Sequence, residues 1–231
     1  MGGKIVGDRY KHKSNRGEWG YGINISGSKK VLVRNTRISN CWGDGVLIGD
    51  KNYVRSDYVT LNHVTSDNNR RQGLTLGPSH HVYVVNSTFS NTHGTLPQAG
   101  MDIEPQTQGP VDTVRVENSV FAHNRGNGVE LHANISSIAF VHNTFKTNNG
   151  FGVLAISAPY LHFKYNVANR NGLAGIGLRG TTHKSTLMNN SLTQNSTHYI
   201  SPSTGGSRNQ RDLNIASTTW AIYRSGNKLT Q

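Results

Sequence analysis

A glycine followed by an alternating apolar run recurs along this chain. The copies are Gly22-Ile-Asn-Ile, Gly45-Val-Leu-Ile, Gly73-Leu-Thr-Leu, Gly100-Met-Asp-Ile, Gly128-Val-Glu-Leu, Gly152-Val-Leu-Ala and Gly175-Ile-Gly-Leu. Successive glycines are 23, 28, 27, 28, 24 and 23 residues apart. Alternation with period 2 is the mark of a strand with one buried and one wet face. Short strands repeating every twenty-odd residues point to a solenoid, because each copy buries its apolar face only by stacking on the next.

Each period holds a second β-run that closes near an asparagine, as in Val31-Leu-Val-Arg-Asn35, Val82-Tyr-Val-Val-Asn86, Val114-Arg-Val-Glu-Asn118 and Leu161-His-Phe-Lys-Tyr-Asn166. Asparagine tolerates left-handed backbone and hydrogen-bonds its own turn, so stacked copies are expected to form an internal amide ladder at the bend. The fold class is therefore all-β, a parallel β-helix. One domain covers 1–231: a partial N-terminal coil and loop (1–21), regular coils (22–195) and a closing segment (196–231) that loses the repeat after a poor eighth copy near His198.

Only 34% of the residues are hydrophobic and 16% charged, lean for a globule and natural for a solenoid with a thin apolar column. Lysine and arginine outnumber aspartate and glutamate 24 to 12, a net +12 that suits a polyanionic partner, nucleic acid or acidic polysaccharide alike. The single Cys41 excludes an internal disulfide framework and reads as a packed thiol. No apolar run approaches the ~18 residues needed to cross a bilayer, and no signal-peptide pattern precedes the first repeat. Without a capping helix at the start, the chain reads as the core of a longer polypeptide.

With the glycines in register, the outward positions of the first sheet form two columns. One runs Asn24, Leu47, Thr75, Asp102, Glu130, Leu154, Gly177; the other runs Ser26, Gly49, Gly77, Glu104, His132, Ile156, Arg179. Strands stack about 4.8 Å apart and alternate residues lie about 6.7 Å apart, which makes Asp102, Glu104, Glu130 and His132 the corners of one rectangle. Three carboxylates converging in a basic protein cost repulsion unless a proton, a metal or bound cationic groups relieve it. That cost singles these four out as the candidate catalytic residues.

Around them the turns supply Arg70, Arg71 and Arg125, able to hold carboxylates bidentately, and the entry column supplies Tyr21, Asp44, Gln72 and Asn127. Thr75, Gly49 and Gly77 leave open space, and the aromatics that lead into the first two coils, Trp19, Tyr21 and Trp42, are candidate sugar-stacking platforms or turn seals. Coils two to four are longer, through Lys51-Asn-Tyr-Val-Arg-Ser56, His93-Gly-Thr-Leu-Pro-Gln98 and Gln106-Thr-Gln-Gly-Pro110, and these insertions wall the acidic sheet. His80-His81 reads as part of a turn, with no accompanying ligand set, so no metal site is assigned.

Four chemistries fit the acidic patch: glycoside hydrolysis by paired carboxylates, elimination from a uronate with Ca²⁺ neutralising its carboxylate, sugar binding without turnover, and solvated acids with no role. Hydrolysis needs no cofactor; elimination brings in Ca²⁺.

The stretches Gly20-Tyr-Gly-Ile-Asn-Ile-Ser26, Trp42-Gly-Asp-Gly-Val-Leu-Ile48 and Gln98-Ala-Gly-Met-Asp-Ile-Glu-Pro105 resemble the pectate-lyase-like right-handed parallel β-helix proteins, and among them the phage and bacterial tailspike depolymerases. The resemblance covers about residues 4–195 and implies a single-stranded right-handed solenoid of about 7–8 coils. It also implies a polysaccharide substrate along the first sheet, acids as catalysts and often a homotrimer. The setting it implies is extracellular or on a virion tail, with neither nucleic acid nor membrane as partner. Gly100-Met-Asp102 is similar to the start of the mannuronan epimerase motif, but the Pro-His that follows there is absent. The Asp-Gly-Asp-Asp run of polygalacturonases is matched only in part by Gly43-Asp-Gly45. The expectation is a depolymerase of glycoside hydrolase type acting on an acidic polysaccharide, with a Ca²⁺-assisted lyase or a glycan-binding adhesin as alternatives.

Overall fold

The computed structural model describes residues 2–196, 199–201 and 211–230, and its regular structure is strand throughout. The recurring glycine runs stack as one parallel sheet, here the front sheet: Ile23–Ser26, Val46–Lys51, Leu74–Leu76, Met101–Ile103, Val129–Leu131, Val153–Ile156, Ile176–Arg179 and Leu213–Ile215. Register runs Asn24, Leu47, Thr75, Asp102, Glu130, Leu154, Gly177, Asn214 from strand to strand. The alternate positions, such as Leu74, Leu76, Met101, Ile103, Val129 and Leu131, are fully buried and form one wall of the apolar column.

Close packing explains the glycine at each entry to the front sheet. A Cβ on Gly100 would lie 2.7 Å from both the Gly128 carbonyl oxygen and Asn124 Nδ2, so even alanine collides with the next coil. The opposite walls come from a second and a third strand per coil, for example Val111–Glu117 and Val120–Ala122, each pairing in parallel with its copies above and below. Stacked phenylalanines fill the column between them, with Phe89, Phe121 and Phe145 spaced 5.2 and 5.4 Å between ring centroids.

Asparagines at the bends divide two tasks between neighbouring positions, where the sequence suggests one. Asn35, Asn86 and Asn118 take left-handed backbone, as do His142 and Tyr165 in the same column. The residue that follows points inward and builds the ladder: Asn143 Nδ2 donates to Asn166 Oδ1 at 3.1 Å, Asn166 to Asn190 at 2.9 Å and Asn190 to Asn227 at 2.9 Å. A second ladder runs Asn124, Asn148, Asn171, Asn195 and ends on Asp212. Both satisfy donors that would otherwise be orphaned inside the solenoid.

At the N-terminus Gly3–Val6 pairs in parallel with Thr36 to Ser39, forming a partial coil. The expected eighth copy at His198 and the loop at 202–207 lie outside the described residues. The repeat, expected to lapse after 195, is resumed by Leu213–Ile215 on the front sheet and by Trp220–Ser225, which pairs with His183–Met188. The coil-two insertion folds as an antiparallel hairpin, with Asp50 opposite Arg55 and Lys51 opposite Val54. Cys41 is buried, and burial pushes its thiol up to about 11.

Candidate active site

The front-sheet register sets Asp102 between Thr75 and Glu130. The four corner residues do not stand equally open. Asp102 is only 2% exposed, covered by its neighbours rather than lying free in the groove. Gln72 Nε2 donates to its Oδ2 at 2.7 Å, and His132 Nε2 stands 3.3 Å from its Oδ1, off the line of a hydrogen bond. The same imidazole nitrogen lies 3.5 Å from Glu130 Oε1. Glu104 turns the other way, placing Oε2 3.6 Å from Arg71 Nη2. The expected rectangle is therefore split into an Asp102, Glu130, His132 group and a Glu104, Arg71 group.

Arg71 organises the second group. Its guanidinium meets Asp44 Oδ2 at 3.2 Å and Glu18 Oε2 at 3.3 Å in addition to Glu104. Thr75 donates its hydroxyl to Asp44 Oδ2 at 2.8 Å and touches Gln72 Oε1. Burial pushes Asp44 up to about 6, with Arg71 and Thr75 opposing the rise and the Asp102 charge adding to it. Burial acts to lower Arg71, but Asp44, Glu104 and Glu18 hold it above its ordinary value.

Glu130 is raised first by burial and second by the Asp102 charge, while a 2.8 Å hydrogen bond from Asn127 Nδ2 opposes the shift. His132 is raised chiefly by its contact with Asp102, against burial, with Glu130 and Glu104 adding to the effect. The groove thus contains a carboxyl and an imidazole that are both biased toward holding a proton, beside a guanidinium that faces three further carboxyl groups. Proton affinities shifted by burial and by neighbours are what acid–base chemistry draws on.

Open space lies on both sides of this cluster. A cleft of about 290 Å³ is lined by Trp19, Tyr21, Thr75, Gly77 and Glu104. Another of about 330 Å³ is lined by Arg125, Asn127, Glu130, Phe151 and Leu154. Glu130 and Glu104 face the two clefts, so a chain-like ligand laid across the front sheet passes both. A depression of about 560 Å³ sits at the bends that lead from the third strands into the front sheet, lined by His93, His123, Arg125 and Arg170, and carries no carboxylate.

Two residues expected in the groove are elsewhere. Arg70 lies over the Trp42 ring at 3.9 Å and donates to the Gly17 carbonyl at 2.9 Å. His12 stacks on Trp42 with ring centroids 4.0 Å apart, so that indole is already packed by an imidazole and a guanidinium and seals a turn. The exposed Trp19, in the loop before coil one, supplies the aromatic surface of the cleft instead, and Glu18 beside it reaches Arg71. Neither carries a repeat signal, since the loop at 8–21 lies outside the glycine frame. Phe151 is not singled out by the sequence: its ring covers Gly177, where a Cβ would come within 2.6 Å of it.

Asp44, Glu104 and Glu18 do not form a cradle for Ca²⁺. The Arg71 guanidinium occupies the centre of Asp44, Glu104 and Glu18, the place where a divalent ion would sit.

A family model described as "Right handed beta helix region" matches residues 9–109 and 97–215, nearly the whole chain. The chain belongs to the right-handed β-helix family. Curated proteins similar to it include the SPbeta prophage-derived protein YorA of Bacillus subtilis, 34% identical across 45% of this chain and 20% of its own length. YclG of the same organism is 28% identical, across 55% of this chain and 25% of its own. The chain thus spans a quarter or less of these curated relatives.

Solved β-helices share the architecture at low identity. The periplasmic alginate epimerase AlgG has a TM-score of 0.71 at 14% identity, over 90% of this chain and 47% of its own. The tailspike protein gp49 of Acinetobacter baumannii bacteriophage Fri1, a capsular polysaccharide depolymerase, has 0.69 at 15%, over 99% and 40%. Pectate lyase Pel9A has 0.58 at 12%, over 88% and 53%.

Proposed function

We propose that this chain depolymerises an acidic polysaccharide laid along the front sheet, by hydrolysis with carboxylates as acid and base. The observation that carries the reading is Glu130. Its carboxyl lines the groove and is raised by burial and by Asp102, a bias toward the protonated form that a general acid to the leaving glycosidic oxygen needs. Glu104, one strand and two residues away, opens on the neighbouring cleft beside Arg71. Carboxyls about 6.5–9.5 Å apart leave room for a water and give inversion, whereas about 5–5.5 Å gives retention. In this scheme Glu104 activates the water, and Asp102, too buried to reach substrate, positions His132.

Supporting the substrate class are the net charge of +12 and the exposed Arg125 beyond Glu130. The carbohydrate-active proteins sharing this fold point the same way, as do the prophage origin of one relative and the tailspike and periplasmic settings of others. An extracellular or virion-associated place of action belongs to this reading, as does assembly as a homotrimer, which light scattering tests.

Elimination is the second reading, favoured by the Asp102-held imidazole of His132, which is placed as a proton acceptor would be. Counting against it, Arg71 already faces three carboxylates and is poorly placed to neutralise a uronate. A panel of capsular and plant uronates decides. New reducing ends without absorbance near 232 nm establish hydrolysis, absorbance near 232 nm establishes elimination, and binding without either signal reduces the site to an adhesin.

A further inference from the structure

Away from the groove, where the front sheet turns into the second wall, Asp57, His80 and Asp112 stack on three successive coils. The sequence reads His80-His81 as a turn, but both belong to the strand Ser79–Val85. In a regular strand neighbouring side chains point to opposite faces. Here His81 adopts φ 48°, and the left-handed bend brings the two imidazoles together, with centroids 3.6 Å apart. Asp57, His80 and His81 each offer a ligating atom within 4.8 Å of the other two.

We propose that Asp57, His80 and His81 form a binding site for a divalent transition-metal ion of the zinc type, with Asp112 as the group that orients His80. Two imidazoles and one carboxylate are the donor set that late first-row ions prefer, and a poor one for Ca²⁺ or Mg²⁺. Ligands about 2.1 Å from an ion stand about 3.0–3.4 Å from one another, and His81 Nδ1 already lies 3.0 Å from Asp57 Oδ1.

The surroundings suit ligands more than a loose surface cluster. His80 Nδ1 is engaged by Asp112 Oδ1, which leaves Nε2 as the nitrogen with a free lone pair. A carboxylate on the far ring nitrogen is the usual support of a metal-bound histidine. Asp112 is fixed in turn by Arg55 Nη1, 2.6 Å from Oδ2. The Tyr58 ring stacks on His81 at 4.3 Å and sets its plane. All four groups are half-buried, so the ion reaches them from solvent and keeps water in its remaining positions. Such an ion would tie coil two to coil three, beside the hairpin that walls the groove.

Calorimetric titration of the untagged, metal-stripped chain with ZnCl2 is the test. One equivalent should bind saturably, CaCl2 and MgCl2 should give no heat, and Asp112→Asn should weaken binding at least tenfold. Should His80→Ala/His81→Ala misfold, imidazole ¹⁵N spectra of the native chain decide without any substitution: one equivalent of Zn²⁺ must shift the resonances of both histidines. No saturable binding, stoichiometric binding that leaves those resonances in place, or full binding in a folded double variant would each overturn the site.

Discussion

Asp102 Oδ1 stands 3.3 Å from His132 Nε2, a nearly inaccessible carboxylate beneath a half-exposed imidazole. The pair spans adjacent coils, and its consequence is electrical: the imidazolium is favoured by a charge that substrate never touches. Asp102→Asn should lower the His132 titration midpoint toward the ordinary 6.5 or below, read by proton NMR of the ring. An unchanged midpoint would remove Asp102 from its positioning role. Linkage gives a second reading. A raised histidine stabilises the fold below pH 6.5 and loses that contribution as pH climbs through its folded value, so wild type should outlast Asp102→Asn by less at pH 9 than at pH 6.

Glu130→Gln should cut turnover by about 10²–10⁴-fold. Because Glu130 lies above the usual carboxylate range, activity of the parent chain should fall on the alkaline side as this group loses its proton. The variant's residual rate should lack that limb. Retention of the limb would assign the proton to another group, with Asp44 next in line.

Arg71→Met leaves Asp44 buried without its cation, a loss of about 3–5 kcal/mol in comparable buried pairs. The deficit should depend on pH. A carboxyl whose folded value is raised to about 6 favours the native state at low pH, and that advantage declines as pH rises from about 4 to 6. Without Arg71 the folded value climbs further, so the deficit should be small at pH 5 and large at pH 8. Denaturant melts at both pH values check this, and equal deficits would contradict it.

Trp19→Ala and Trp42→Ala separate the two aromatic roles. Trp19, 76% exposed on the cleft wall, should raise KM several-fold with little change in Tm. Trp42, held between His12 and Arg70, should lower Tm while leaving KM nearly unchanged. The reverse pattern would return Trp42 to the substrate.

The adjacent columns at the bend make opposite demands. Asn118→Gly should be nearly neutral, since φ 50° suits glycine and the side chain is exposed. Asn143→Ala breaks the ladder and should cost about 1–3 kcal/mol, because Asn143 Nδ2 also satisfies the Val116 carbonyl at 2.9 Å. Equal costs at the two sites would show that the ladder contributes nothing beyond the turn.

Periodicity carried the repeating part of this molecule. Seven glycines and the alternation behind them defined coil, strand and front-sheet register, because a strand slipped by one residue exposes its whole apolar set. For the same reason Thr75, Asp102 and Glu130 could be set side by side from their positions alone. The loop at 8–21 has no period, so neither the reach of Glu18 to Arg71 nor the packing of His12 on Trp42 was legible. The left-handed bend at His81 was equally hidden, since the same column bends at Tyr58, Thr113, Ser137, Tyr160 and Lys184 and no single residue type marks it.

What the sequence by itself determined is the stacking direction and which side chains share a column, since those follow from a repeat that must bury one face. Only the tertiary structure decided which of the columned acids meet water. Burial and partnership depend on side chains from neighbouring coils and from an unrepeated loop: Gln72 and His132 over Asp102, Arg71 among Asp44, Glu104 and Glu18. Proton affinity follows those neighbours, and no spacing along the chain encodes them.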